Sequence, residues 1–428
     1  MKKKRLLLVF AATFTAVLSV GLIAFFVYLQ VLRVDAPANT VVEEPSPTVE
    51  RVENSGTDGL TDAVNNPAGN PTSDPAGPGE DPETPPGRYA DELADLQYMA
   101  ENRIYYREPA VEGEARLLFG GDFLFDQNYA TMSSAIRRGG TVDVAFSEDL
   151  LEMMRGADVT MLNNEFTYTT RGEPVPHKMY TFRAKPETAA WLPDMGVDIV
   201  SLANNHTFDF GEISLLDTLD TLVAHGVRYV GAGRSINEAA APAYFIVGDI
   251  KIALIASTQI EREDNPDTRG ASEFLPGVFR FRPNTRLLAA IKDAKENSDF
   301  VIVFVHWGTE NESAPDWSQL QEGPQIAAAG ADLIVGSHSH VLQGIYYYGE
   351  TPVVHSLGNF WFSSRTYDTG VLEVIVNEEG LKSLRFIPAI QKDCVTSVLH
   401  DSEKKRVLDT MRGLSKDVEI DEDGYIIR

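Results

Sequence analysis

Short apolar runs alternate with amphipathic stretches of helical period from position 115 onward. A run of about four to eight apolar residues between turn residues is typical of a buried strand, whereas apolar residues three and four apart are typical of a helix. The runs predict strands at 115–120, 159–162, 198–202, 228–230, 244–247, 252–256, 300–306, 333–335, 344–348, 352–355, 371–376 and 384–390. The amphipathic stretches predict helices at 148–155, 186–195, 212–225, 285–296, 319–329 and 403–414.

The order of these elements predicts two kinds of strand pairing. Strands that alternate with helices indicate parallel sheet, because a parallel pair needs a long crossover connection. The runs on either side of Gly248-Asp249 predict an antiparallel hairpin, and the strands after Gly344 predict an antiparallel meander with a turn at 377–380. Together these patterns predict a mixed α/β sandwich.

The amino terminus has a different pattern, since residues 6–31 form an apolar stretch of 26 positions without a charge. That length can span a bilayer with some tilt, and the basic cluster at 2–5 predicts a cytoplasmic amino terminus. A cleaved signal peptide is the alternative, but its apolar region is normally about 7–15 residues long. We therefore expect an uncleaved signal anchor that places the rest of the chain outside the cell membrane.

Composition divides the chain into five predicted segments. Residues 1–34 are the basic end and the transmembrane anchor, and 35–87, rich in Pro, Gly and acidic residues, are a disordered linker. Apolar residues at helical spacing predict a pre-domain helix within 88–114. The main domain is expected at 115–392, followed by a C-terminal helix and tail at 393–428.

Charge and cysteine content exclude several classes of function. The formal net charge is −26, which argues against nucleic acid as a partner because two polyanions repel each other. The single cysteine, Cys394, excludes an intrachain disulfide or a cysteine metal cluster, and we expect it in the core.

Metal-type ligands follow five of the predicted strands. Carboxyl ends of parallel strands commonly open on a ligand crevice, so we expect these side chains to meet. Their oxygen and nitrogen atoms suit Mn, Zn, Fe or Co and do not select among them. The segments carry Asp122; Asn163, Asn164 and Glu165; Asn204, Asn205, His206 and Asp209; His306 and Glu310; and His338 and His340.

Each segment alone has a plainer interpretation. An Asp or Asn after a strand is commonly a helix cap, and a histidine such as His306 is commonly a packed core residue. Five such segments are harder to explain as independent caps, because a buried charge without a partner costs several kcal/mol. His338 and His340 are also two positions apart, so in extended backbone they face one side and could each serve one ion of a close pair.

In their order along the chain these motifs resemble the CapA family, which is named for poly-γ-glutamate capsule synthesis. The resemblance runs from about 117 to 362. It implies a fold similar to the calcineurin-like metallophosphoesterases, a mixed β-sandwich flanked by helices. The motifs that carry it are Gly121-Asp122, Asn164-Glu165, Asn205-His206 with Asp209 and Gly211, His306 to Glu310, Gly336 to His340 and Ser356 to Phe360.

The resemblance also implies roles for individual residues. Glu165 would bridge one or two divalent ions (Mn, Zn, Fe or Mg). Asp122 and His340 would hold one ion, and Asn205, His306 and His338 the other. His206 would protonate a leaving group and Asp209 would orient it. Asn164, Arg183, Glu310 and Asn359 are expected to bind the substrate.

Two positions depart from the phosphoesterase pattern. Leu124 stands where that pattern has a histidine, and Glu165 stands where it has an aspartate. The first ion therefore lacks one ligand. Three outcomes stay open: weak binding, replacement by water, or use of Asp126.

The implied function is a membrane-anchored, extracytoplasmic role in capsule polymer biosynthesis or export, with an anionic cell-surface polymer or a phosphoester as the ligand. One alternative is a metal-dependent hydrolase of phosphoesters or of the polymer. The other is a non-catalytic scaffold that binds membrane capsule-synthase subunits.

Overall fold

Two mixed sheets that pack face to face organise the fold, and helices cover both outer faces. A computed structural model of the chain describes residues 87–260 and 268–428. The predicted anchor at 6–31 and the predicted linker up to residue 86 lie outside these ranges. Within them, no helix has the length and apolar character needed to cross a bilayer.

The strands, in chain order, are β1 (Ile104–Arg107), β2 (Ala115–Phe123), β3 (Val159–Asn164), β4 (Thr167–Tyr168), β5 (Arg183–Ala184), β6 (Ile199–Ser201), β7 (Arg228–Val230), β8 (Ala232–Gly233), β9 (Ala243–Val247), β10 (Ile250–Thr258), β11 (Gly277–Val278), β12 (Phe300–His306), β13 (Leu333–Ser337), β14 (Leu342–Tyr348), β15 (Thr351–Leu357), β16 (Asn359–Trp361), β17 (Tyr367–Asn377), β18 (Gly380–Lys392), β19 (Val395–Val398), β20 (Glu419–Ile420) and β21 (Ile426–Ile427).

The α-helices are α1 (Ala90–Ala94), α2 (Leu96–Glu101), α3 (Ala130–Arg137), α4 (Glu148–Arg155), α5 (Trp191–Met195), α6 (Glu212–Ala224), α7 (Ile236–Ala240), α8 (Thr285–Asn297), α9 (Trp317–Ala329) and α10 (Asp401–Leu414). Short 3-10 helices occupy Val142–Val144 and Pro186–Ala190.

Parallel strands lie at the centre of each sheet. The first sheet has the order β1-β9-β10-β12-β13-β15-β14, and the second has the order β19-β18-β17-β2-β3-β6-β7. The pairs β10–β12 and β12–β13 are parallel in the first sheet, as are β2–β3 and β3–β6 in the second. Because parallel neighbours end together, each sheet collects several carboxyl strand ends along one edge.

Three apolar layers hold these elements together. The inner layer joins the two sheets, with Leu117 and Phe119 of β2 in the same buried cluster as Ile252 and Leu254 of β10. Alternate residues of each strand point outward, as strand geometry requires. The outward residues of the second sheet pack with helices α4 and α6, and those of the first sheet pack with α8 and α9. The described chain is therefore a four-layer α/β/β/α sandwich, which confirms the predicted mixed α/β class.

The predicted hairpin is present, whereas the predicted meander is divided between the two sheets. Strands β9 and β10 pair antiparallel around Gly248-Asp249. Strands β14 and β15 form one antiparallel pair in the first sheet, while β17 and β18 form another in the second sheet, with the turn from Asn377 to Gly380.

The structure differs from the sequence analysis in segment 88–114. In place of the predicted single helix there are two short helices. Asp95 separates them, because its side chain accepts a hydrogen bond from Tyr98 N at 2.9 Å and caps the amino terminus of α2. Ile104 is not on a helix but begins β1, which pairs in parallel with β9. The β-forming run Ile-Tyr-Tyr-Arg extends an open sheet edge, which single-sequence periodicity does not reveal.

Gly121 makes a close backbone approach that fixes the end of β2. A Cβ atom at this position would lie 1.8 Å from the backbone oxygen of Gly358. We expect Gly121→Ala to lower the free energy of unfolding by about 1–3 kcal/mol, as overpacking does. The control is Gly413→Ala in α10, where a Cβ meets nothing within 4 Å; its unfolding midpoint should stay the same or rise in a thermal melt. Equal midpoints for the two variants would contradict the expected clash.

Candidate metal centre

The site lies where carboxyl strand ends of the two sheets meet. Asp122 and Glu165 come from the ends of β2 and β3 in the second sheet. His306, His338 and His340 come from the ends of β12 and β13 in the first sheet. Side chains more than a hundred positions apart in sequence thus face one point between the sheets.

These side chains form two groups that share Glu165. Glu165, His306 and His338 have ligand atoms within 4.8 Å of one another, and so do Asp122, Glu165 and His340. The division matches the predicted assignment of ligands to two ions. The roles of these residues stay predictions, whereas their convergence is a property of the structure.

Asn205 completes the first group. His306 Nε2 lies 2.8 Å from Asn205 Oδ1, 3.0 Å from His338 Nδ1 and 3.6 Å from Glu165 Oε1. Ligand atoms bound to one cation at about 2.1 Å lie roughly 3.0–3.4 Å apart. His306 Nδ1 lies 3.0 Å from Ser337 Oγ and 3.2 Å from Asn163 Nδ2. In the tautomer with the proton on Nδ1, the ring donates a hydrogen bond to Ser337 and Nε2 is available as a ligand.

Glu165 gives the strongest indication that a cation belongs here. Its side chain is fully buried, and neither carboxylate oxygen has a hydrogen-bond partner among the described residues. Burial, and then the neighbouring charge of Asp122, raise its pKa well above the usual range. Unpaired buried carboxylates are rare because they are costly, so the donor set fits a divalent metal.

The histidines differ in their protonation. Burial lowers the pKa of His306 and His338 well below the usual value, so both are neutral at physiological pH. Burial also opposes a charge on His340, but the charges of Glu165 and Asp122 outweigh it and raise its pKa to about 10. His340 Nδ1 lies 3.2 Å from Asp122 Oδ2 and 2.9 Å from Asn359 Oδ1. Without a metal, His340 and the neighbouring Glu165 therefore both hold a proton more readily than usual.

His206 and Asp209 form a hydrogen-bonded pair beside the metal ligands. His206 Nδ1 donates to Asp209 Oδ2 at 2.8 Å, and His206 Nε2 lies 3.9 Å from Glu165 Oε1. Burial is the largest effect on the imidazole and lowers its pKa. The pair therefore presents a neutral ring nitrogen to the site.

Lys178 is a site residue that sequence reasoning missed. Its ammonium group forms an ion pair with Asp209 Oδ1 at 2.5 Å and donates to the backbone oxygen of Asn205. Its side chain is only 6% exposed. A lysine in a polar loop with no periodic pattern gives no signal in the sequence, since only the folded loop places it against Asp209.

Leu124, Asp126 and Asn164, which the sequence places near the ligands, make contacts of their own. Leu124 is fully buried in the apolar layer outside the second sheet. Asp126 accepts backbone hydrogen bonds from Asn128 at 2.9 Å and Arg183 at 3.0 Å, so its oxygens stabilise a turn, and its use as a substitute ligand stays a prediction. Asn164 Nδ2 donates to the backbone oxygen of Phe166 at 2.7 Å.

A pocket of about 310 Å³ opens beside His206 and His340. Glu310 and Asn359 line it, as expected for substrate-binding residues. Arg183 is not among the described residues that line it, and its guanidinium group lies over the Phe210 ring at 4.4 Å.

Glu165 allows a direct test of metal binding. Adding Mn²⁺ or Zn²⁺ at about 100 times its dissociation constant should stabilise the protein by about 2.7 kcal/mol, seen as a higher unfolding midpoint. Glu165→Gln should lose that shift and still fold, because a buried amide costs less than an unpaired carboxylate. The control is Glu296→Gln at an exposed position, which should keep the shift. An equal shift in Glu165→Gln would contradict the shared ligand.

The raised pKa of His340 predicts that metal binding releases a proton. His340 carries a proton at pH 7 and must lose it to ligate. The apparent affinity should therefore rise about tenfold per pH unit between pH 7 and 9 for one released proton. Calorimetric titrations in two buffers of different ionisation enthalpy measure the number released. The His340→Asn variant should release fewer protons than the unchanged protein when it binds the metal. Identical heats of metal binding to the unchanged protein in both buffers would contradict the prediction.

Comparison with known proteins agrees with the motifs. The family model "Bacterial capsule synthesis protein PGA_cap" matches residues 116–364, which is 249 of 428 positions. The PGA biosynthesis protein CapA of Bacillus subtilis is 30% identical over 259 residues, covering 59% of this chain and 66% of that protein. The capsule biosynthesis protein CapA of Bacillus anthracis is 32% identical over 241 residues, covering 55% and 57%.

Both matches span less than two thirds of the relative's own length. A solved 5'-nucleotidase from Candida albicans aligns with a TM-score of 0.35 at 10% identity, over 64% of this chain and 53% of that chain, and this similarity is too low to support an inference. The family model covers more than half of the sequence and includes every converging residue of the site. The chain therefore belongs to the CapA family of bacterial capsule synthesis proteins.

Proposed function

We propose that this protein acts in poly-γ-glutamate capsule biosynthesis through a metal-dependent site at the meeting point of the two sheets. Family membership and the names of its relatives support the pathway. The main evidence for metal binding is the carboxylate of Glu165, which is buried without a hydrogen-bond partner among the described residues and belongs to both ligand groups.

The membrane anchor is part of the same proposal. Residues 6–31 would hold the chain in the cell membrane as a signal anchor, and 35–87 would act as a spacer that places the domain outside the cell. This arrangement would bring the site close to an anionic cell-surface polymer and to membrane capsule-synthase subunits. The support is the length and charge pattern of the sequence.

The residues around the site suit hydrolysis of a phosphoester or of an amide bond in the polymer. A divalent metal held by the two ligand groups would supply Lewis acidity and activate water at neutral pH. Asp209 fixes the tautomer of His206, because a carboxylate can only accept from Nδ1. His206 Nε2 is then free to exchange a proton with the reacting group, and Asn359 and Glu310 lie where they can orient it.

A non-catalytic scaffold is the second candidate. The observation that favours it is Leu124, a fully buried apolar residue where phosphoesterases have a metal ligand. The group of Asp122, Glu165 and His340 consequently has one ligand fewer, and that ion would have a structural role in a synthase complex.

His206→Ala separates these candidates. If the site is hydrolytic, the metal-loaded full-length protein should turn over bis-p-nitrophenyl phosphate or shorten poly-γ-glutamate chains. His206→Ala should reduce the rate by about 10²–10⁴, as loss of a general acid or base does, while metal content stays unchanged. The control is His400→Ala, whose side chain is 69% exposed. Metal retention without turnover on either substrate would support the scaffold instead.

A further inference from the structure

Aromatic side chains dominate the pocket that leads to the metal ligands. Five of its twelve described lining residues are Tyr129, Tyr180, Phe182, Phe362 and Tyr367. Its volume of about 310 Å³ is at the small end of the roughly 300–1,000 Å³ range of ligand pockets. It therefore suits one small group more than a length of polymer.

The rings form a continuous wall around the two histidines at the floor of the pocket. Phe182 lies over His206 with ring centroids 4.3 Å apart, and Phe362 lies against His340 at 4.8 Å. The two phenylalanines meet each other edge to face at 5.6 Å and 88°. Any ligand that reaches His206 and His340 through this pocket must pass along aromatic surface.

Asp209 holds one side of this wall in place. Its carboxylate accepts from Phe182 N at 2.6 Å and its backbone oxygen accepts from Val175 N at 2.8 Å, while Lys178 pairs with its other oxygen. The residue that orients His206 thus also fixes the segment that carries Tyr180 and Phe182. The wall and the candidate general acid–base group are positioned together.

The charge of the pocket does not match a polyanion. Apart from His340 and a bound metal ion, the described lining residues carry one positive charge, on Arg365, and one negative charge, on Glu310, and these two cancel. A stretch of poly-γ-glutamate carries one negative charge per residue and would need several cations along its path. Aromatic faces instead attract other flat apolar faces, such as aromatic rings and the faces of sugars.

We propose that this pocket binds a ring with a flat apolar face, joined to the phosphate or carboxylate group that reaches the metal site. The inference rests on the proposed metal-dependent site and, of the substrates proposed above, favours a small ester or conjugate over the polymer. The ligand is a small ring-bearing ester or conjugate, and the aromatic wall selects it over ringless analogues.

Binding of non-hydrolysable phosphonates tests the ring preference without requiring turnover. We expect phenylphosphonate to bind the Mn²⁺-loaded full-length protein at least about tenfold more tightly than methylphosphonate in calorimetric titrations, since the two share the metal-directed group and differ in the ring. Adenosine monophosphate and glucose 1-phosphate, each compared with methyl phosphate, distinguish a nucleobase from a sugar as the source of the ring. Equal affinities of phenylphosphonate and methylphosphonate, or no binding of either, would overturn the proposal.

Variants locate the preference in the pocket. Tyr180 is 58% exposed, so Tyr180→Ala is expected to fold and to reduce the ratio of phenylphosphonate to methylphosphonate affinity at least about threefold. Phe362→Leu should do the same while keeping apolar volume. The control is Tyr98→Ala on α2, an exposed tyrosine that does not line the pocket, and its ratio should match the unchanged protein.

The outcomes separate this inference from the proposed function. A ratio that is unchanged in both Tyr180→Ala and Phe362→Leu would overturn the ring pocket even if the protein hydrolyses phosphoesters. If both variants lose the preference for phenylphosphonate over methylphosphonate and the protein shows no turnover, the ring pocket is supported and only the hydrolytic function is contradicted.

Discussion

The carboxylate of Glu165 is the constraint on which the site depends. It is fully buried, and His306, His206 and His340 surround it with ring nitrogens at 3.6, 3.9 and 4.0 Å. A buried carboxylate costs several kcal/mol unless positive charge compensates it. Without a metal, the raised pKa values of Glu165 and His340 mean that a bound proton fills this role. A divalent ion would replace the proton, so metal and proton compete for one role.

The packing of the two sheets makes this arrangement possible. Each sheet places parallel strand ends on one edge, and the shared apolar layer holds the two edges against each other. Close backbone contacts such as that between Gly121 and Gly358 let the ends approach without side chains between them. The core therefore contributes to chemistry indirectly, because it fixes ligands from both sheets to within hydrogen-bonding distance.

Asp209 connects the reacting groups with the route by which a ligand reaches them. It accepts from His206, from Lys178 and from the backbone of Phe182, all in the buried region beside the metal ligands. Movement of the loop that carries Lys178 and Phe182 would consequently change both the orientation of His206 and the shape of the pocket.

The amino-acid pattern was enough to predict the mixed α/β class and the polar residues that converge between the sheets. Apolar runs indicate where strands lie, and polar residues at or directly after their ends, such as Asp122 and His338, are carried to a sheet edge by local geometry. The sequence did not reveal β1, whose pairing depends on an open edge provided by β9. Nor did it reveal Lys178 or the aromatic wall around Phe182 and Phe362. These features depend on the folded chain, because they arise from contacts between segments that are distant in sequence and follow no period of 2 or 3.6 residues.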